Sequence, residues 1–214
     1  MIQYPDYPII GGKTAINEAA EQEPVHEEIQ TQPLASEESR DLLPAGCGLW
    51  MGWMLATLLG GGIGWAVGWY ASTLAPGVLS TPVLGGVMGA CLGLAQWPFL
   101  TGRLPASWRW VVASAAGWGA GFLAGADLSS LFGLEGALFG LVTGLTTGAF
   151  LGTLQWLLLR GVVSRAGWWV PANIFAWGSA LLYYRPSSWL GLLMGALAGI
   201  VTAIVLLWLF HRPE

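Results

Sequence analysis

The chain has 214 residues, of which 55% are hydrophobic and only 9% charged, against about 25% charged in a soluble globular domain. Nine of its twelve acids fall in the first 41 residues, so the net charge of -4 belongs to one end of the chain. This distribution places the chain in the membrane class and divides it into two regions; the net charge, a property of the tail, says nothing about nucleic acid, and no nucleic-acid partner is expected.

Residues 1–43 are rich in Glu, Gln, Pro and Ser and include Glu18, Glu21, Glu23, Glu27, Glu28, Glu37 and Glu38. A segment with so few large apolar residues cannot bury enough surface to offset its ordering entropy. It reads as a disordered acidic tail, either a solvated leader or a docking segment for a basic partner. The opening MIQYPDYPIIGGK has no basic stretch followed by an apolar run, so no cleavable signal peptide is expected.

The remainder, 44–214, contains six apolar segments at 47–70, 80–100, 108–126, 133–159, 167–184 and 188–210. A bilayer core of about 30 Å needs about 20 helical residues. The composition therefore predicts an all-α integral membrane domain of six transmembrane helices. Prolines at 76, 82, 98, 105 and 186 punctuate the connections. The fourth segment is long enough to require tilt or an overhang. Cys47 and Cys91 sit in apolar, Gly-rich surroundings without metal-ligand spacing, and read as small buried residues.

The segments repeat. Gly85, Gly89, Gly93, Gln96, Trp97, Gly102, Trp110, Trp118 and Gly119 fall, after a shift of 59, on Gly144, Gly148, Gly152, Gln155, Trp156, Gly161, Trp169, Trp177 and Gly178. Trp53 set on Trp110 brings Ala56, Gly60, Gly64 and Gly68 onto Ala113, Gly117, Gly121 and Gly125. A shift of 55 sets Gly136, Gly140, Gly144 and Gly148 on Gly191, Gly195, Gly199 and Ala203. The expected architecture is three tandem helical hairpins. With an even number of spans per unit the repeats are parallel, related by an axis along the membrane normal.

Arg40, Arg103, Arg109, Arg160, Arg165 and Arg212 lie on the side of the N-terminal tail, and only Arg185 on the other. The positive-inside rule then makes both termini cytoplasmic, with Asp127 and Glu135 on the exterior. The tail-side arginines 103, 109, 160 and 165 are candidates for lipid-headgroup or partner contacts.

Small residues recur at every fourth position, as in Gly48, Gly52, Ala56, Gly60, Gly64 and Gly68, and again from Gly136 to Gly152. Such stripes allow close helix approach in a bilayer. Their number suggests that some are left over to receive a flat ligand or a neighbouring subunit. Gln96-Trp97 and Gln155-Trp156 close the second and fourth helices, and Trp110, Trp168 and Trp169 open the next ones. The tryptophans fit an aromatic belt. The two glutamines need hydrogen-bond partners at that depth, which makes Gln96, Trp97, Gln155 and Trp156 ligand or packing candidates. Asn173, one turn into the fifth helix beside Pro171, and Glu135, near the exterior start of the fourth, complete the set.

No His lies between Gly46 and Phe210, which removes His ligation of haem or chlorophyll from the transmembrane region. Triad, phosphate-loop and metal-cluster patterns are all lacking, so a non-enzymatic protein without metal or cofactor is expected.

The pattern GxxxGxxQWxxL, a short Arg-bearing turn, then a Trp-rich start to a Gly/Ala helix, resembles a group of uncharacterised bacterial multi-pass membrane proteins of cyanobacterial type. It covers 85–181 well and departs at Thr101 and Val162, since neither copy has Arg at both turn positions. The resemblance implies a bacterial inner or thylakoid-type membrane and no particular activity. The leading expectation is a structural or accessory subunit that packs against other membrane proteins, or itself, through its glycine faces. A small-solute transporter or channel is the alternative, followed by a pigment- or lipid-binding protein.

Overall fold

The structure, a computed structural model, describes residues 46–182 and 188–210, apart from the side chains of 47, 188–192 and 194. All the described residues fall in one compact unit of the chain. The expected tail at 1–43 and the topology residues Arg40, Arg185 and Arg212 lie outside the described residues.

Among the described residues six helices follow one another, α1 Cys47–Leu74, α2 Ser80–Leu100, α3 Arg109–Leu131, α4 Gly136–Leu159, α5 Trp169–Leu181 and α6 Ser188–Phe210. Short 3-10 turns at Gly77–Leu79 and Ala166–Trp168 lead into α2 and α5. There is no strand among the described residues. The first four helices are long and apolar enough to cross a membrane. The described apolar stretch of α6, Gly195–Phe210, falls short of that length. At 1.5 Å per residue the 13 residues of α5 reach only about 20 Å. Expected segment 167–184 runs beyond Leu182 into residues outside the description.

Two helix ends depart from the expected bounds at 126 and 133. Asp127 lies inside α3, which continues to Leu131, because an exposed acid does not break a helix and the first residue that does is Gly133, at φ +60°. Glu135 is the extended residue before α4, and Gly136 follows at φ +57°. The fourth helix is thus 24 residues, about 36 Å, still longer than a bilayer core of about 30 Å.

The helices form a closed ring. Each packs on its neighbours in sequence, and α6 returns to pack on α1. The outer surface is apolar, with Leu55, Leu59, Ile63, Leu94, Val112, Leu138, Phe150, Phe175 and Ile204 all exposed. Helices that are apolar inside and out suit a lipid surrounding.

Glycine sets the ring's spacing. A Cβ on Gly64 or Gly68 of α1 would lie 2.8 Å from the carbonyl oxygen of Met88 or Leu84 on α2. Gly85, Gly89 and Gly93 of α2 meet the backbone of α3 in the same way, and Gly117, Gly121 and Gly125 of α3 that of α4. Gly144, Gly148 and Gly152 face α5, while Gly195 and Gly199 face α1. The expectation of spare glycine faces for a partner therefore does not hold for these positions, because the ring's own backbones occupy them. Gly48, with nothing within 4 Å of a Cβ, is an exception. Across the α5–α6 contact, Ala176 and Ala180 of α5 are buried in the core.

The register of α6 differs from the one read in the sequence. Gly199 faces Met54 and Thr57, as Gly93 faces Val111 and Ser114 and Gly152 faces Val170 and Asn173. Gly199 thus corresponds to Gly152, a shift of 47 rather than 55. The difference of 8 is two steps of the four-residue glycine period, and a stripe of that period looks alike after such a slip.

Candidate functional site

While Ser129, Thr143 and Thr147 lie towards the other end of the ring, six of the buried polar side chains, Thr57, Gln96, Ser114, Gln155, Asn173 and Thr202, gather at the level where α2 and α4 near their ends and α3 and α5 begin. Three tryptophans meet there on the axis. Trp53 of α1, Trp110 of α3 and Trp169 of α5 are each at most 1% exposed. Their ring centroids are 5.9 Å (53–110), 6.2 Å (53–169) and 5.8 Å (110–169) apart. The first two pairs are edge-to-face, a geometry worth about 0.5–1.5 kcal/mol per pair beyond burial.

Each indole N–H of this triad donates to the neighbouring even-numbered helix. Trp110 donates to Gln96 Oε1 at 3.0 Å, Trp169 to Gln155 Oε1 at 2.8 Å, and Trp53 to Thr202 Oγ1 at 3.1 Å. The amide nitrogens reach the other way. Gln96 Nε2 donates to Thr57 Oγ1 and Gln155 Nε2 to Ser114 Oγ, both at 3.0 Å. Thr57 Oγ1 in turn donates to the Trp53 carbonyl at 2.8 Å, and Asn173 Nδ2 to the Trp169 carbonyl at 2.9 Å. Thr57, Ser114 and Asn173 each stand four residues after a triad tryptophan and are buried. Thr202, 47 residues after Gln155, takes the place that a third glutamine would fill.

Apolar layers close the belt on both sides. Towards the arginine-bearing turns lie Leu100, Leu159 and Leu206, packed with the triad. On the other side lie Leu92, Leu151 and Ala198 with Trp118, Phe122 and Trp177. The Trp118 and Trp177 rings meet edge-to-face at 4.6 Å, and neither indole N–H has a protein partner. A cavity of about 10 Å³ remains on the axis, lined by Gln96, Gln155, Asn173 and Thr202 with Trp53, Trp169, Trp177, Leu92 and Leu151.

Of the residues singled out in the sequence, Gln96, Gln155 and Asn173 come together in this belt. Trp97 and Trp156 do not, because the next residue along a helix lies about 100° round it. Trp97 is 39% exposed and donates to Ser107 Oγ at 2.9 Å. Trp156 carries the Arg160 guanidinium 5.7 Å from its ring centroid. Glu135 is exposed at the opposite end of α4. Arg103 donates to the Phe99 carbonyl at 2.7 Å. Arg109 lies 5.9 Å from the Trp108 centroid and Arg165 4.9 Å from that of Trp208. These arginines share the end of the ring where α2 and α4 stop and α3 and α5 begin.

Trp110 and Trp169 are a correction to the aromatic-belt reading. Both are buried on the axis, whereas Trp168, at 63% exposed, is the one placed as a belt residue would be. One sequence signal marks the difference, the separation of 14 from Gln to Trp.

Chemically the belt is neutral. Its donors and acceptors are amides, hydroxyls and indoles, with no ionisable side chain among the residues that line the cavity. Among the described residues no group of three or more His, Cys, Asp or Glu side chains is placed to hold a metal ion. The arrangement can fix helix rotation and register through directional bonds, and can exclude solute from the axis. No protein-family model, no curated protein and no solved structure matches this chain.

Proposed function

We propose that the chain is a non-enzymatic integral membrane protein of structural or accessory type, built from three copies of one helical hairpin about an axis along the membrane normal. On this reading all six helices cross a bacterial inner or thylakoid-type membrane, both termini are cytoplasmic, and the arginine-bearing turns lie at the cytoplasmic face.

The filled axis carries the proposal. Three buried indoles, their hydrogen-bonded glutamines and a leucine layer occupy the line that a permeating solute would have to follow. A transporter needs polar or charged side chains free to exchange partners. Here Gln96 and Gln155 each bond two separate helices. With the glycines described above turned inward, the surfaces left for another membrane protein are the exposed apolar helix faces, together with the acidic segment 1–43 as a docking tail.

Affinity purification of the full chain from its native membranes in mild detergent, with mass spectrometry of the co-purifying proteins, tests this reading. A stoichiometric membrane partner is the expected result. Partner-free monomer that catalyses solute flux when reconstituted in liposomes would replace the proposal with the transport alternative.

A further inference from the structure

We infer that the axial cavity is a binding site for a single water molecule, held by the Trp177 indole N–H and the side-chain amide oxygens of Gln96 and Gln155. Its volume of about 10 Å³ is at the lower bound for one water. Every residue that lines it is less than 5% exposed, so an occupant is held away from bulk solvent.

Hydrogen-bonding capacity selects the occupant. Trp177, 1% exposed, lines the cavity and has a buried N–H without a protein acceptor. An unpaired donor in an apolar interior bears its full desolvation penalty. Gln96 Oε1 and Gln155 Oε1 each accept one indole N–H, and an amide oxygen has a second lone pair to offer. Trp177, Gln96 and Gln155 all line the cavity, and one donor with two acceptors matches a water, which accepts once and donates twice. A metal or alkali cation does not fit, because it cannot accept from the indole. An apolar guest would leave the Trp177 N–H unpaired and the second lone pair of each amide oxygen unused. Bound there, the water joins α5 to α2 and α4 across the axis and completes the belt on its exterior side.

Trp118 is an internal control. Its N–H is also buried without a protein partner, and its ring touches Trp177, but it does not line the cavity. The test is an NMR measurement of water contacts to the indole N–H protons in the full chain, ¹⁵N-labelled at Trp and embedded in lipid nanodiscs. Signals are assigned with Trp177→Phe and Trp118→Phe. The expected result is a water cross-peak at the Trp177 N–H, shifted to the hydrogen-bonded position, and none at Trp118. A Trp177 signal without water contact would overturn the inference. Equal contacts at both indoles would overturn it too, since they signal general water penetration rather than one site. If a variant fails to fold, an experimental structure resolving ordered solvent decides between the same outcomes. A peak within about 2.7–3.2 Å of Trp177 Nε1 is expected there, and a dry cavity is the contrary result.

Discussion

Trp110 donates its indole N–H to Gln96, 14 residues earlier in the chain, and this one bond ties the end of α2 to the start of α3. Gln155 and Trp169 repeat it at the same separation. The third instance, Trp53 to Thr202, spans 149 residues and closes the ring between its first and last helices. Two of these bonds are local across a turn, and the third forms only when the whole domain has assembled.

Loss of one glutamine should uncouple its hairpins. Gln155→Leu strands the Trp169 N–H and the Ser114 hydroxyl, at a cost of about 1–3 kcal/mol. Bonds measured between membrane helices average nearer 0.6 kcal/mol, so the low end is expected. Thermal unfolding of Gln155→Leu, Trp169→Phe and the double variant in nanodiscs measures the coupling. The double variant should be less destabilised than the sum of the two singles, because either change alone already breaks the bond. Strict additivity would mean that the bond contributes nothing.

Glycine positions should divide by what faces them. A methyl group at Gly89 or Gly144 would collide with the backbone of the adjacent helix. Gly89→Ala and Gly144→Ala should each destabilise by about 1–3 kcal/mol through overpacking. At Gly48 a Cβ meets nothing within 4 Å, so Gly48→Ala should be neutral or slightly stabilising through helix propensity. Unfolding midpoints of the three variants check the order.

Several features were legible in the sequence and others were not, for reasons visible in particular residues. Apolar length located all six helices, and the need of Gln96 and Gln155 for partners at that depth pointed to the buried amides. The expected segment 108–126 stops short of the end of α3 at Leu131, because hydropathy falls at Asp127 while the backbone turns only at Gly133. The register of α6 was misread because a glycine at every fourth residue matches itself after slips of four or eight. Leu92, Leu151 and Ala198, with Leu100, Leu159 and Leu206, resolve that ambiguity only once their shared burial is seen. A buried Trp and an interfacial Trp look the same in a helix that is apolar all round, so the triad was hidden. A polar residue four places on does not single it out, since Trp69, Trp97 and Trp156 are followed at that distance by Thr73, Thr101 and Arg160.

Topology is open to direct labelling. Ser130 and Gly161 are exposed and lie at opposite ends of the α3–α4 pair. In a background with Cys47 and Cys91 replaced by Ala, Gly161→Cys should react with a membrane-impermeant maleimide only from the cytoplasmic side. Ser130→Cys should react only from the exterior. The reverse pattern would invert the proposed orientation, and labelling of both from one side would dismantle the spanning arrangement of α4.

Closure of the six helices around a filled axis is the central claim, and a cross-link between α1 and α6 tests it most directly. A Cβ on Gly199 would lie 3.2 Å from Thr57 Cβ, close to the separation of about 3.5–4.5 Å that a disulfide spans. Thr57→Cys with Gly199→Cys, in the same chain free of Cys47 and Cys91, is oxidised in membranes and run on a non-reducing gel. A rapid intramolecular cross-link, reversed by reductant, is the predicted result. No cross-link, or one that joins two chains, would show that α6 does not return to α1 and that the ring is open.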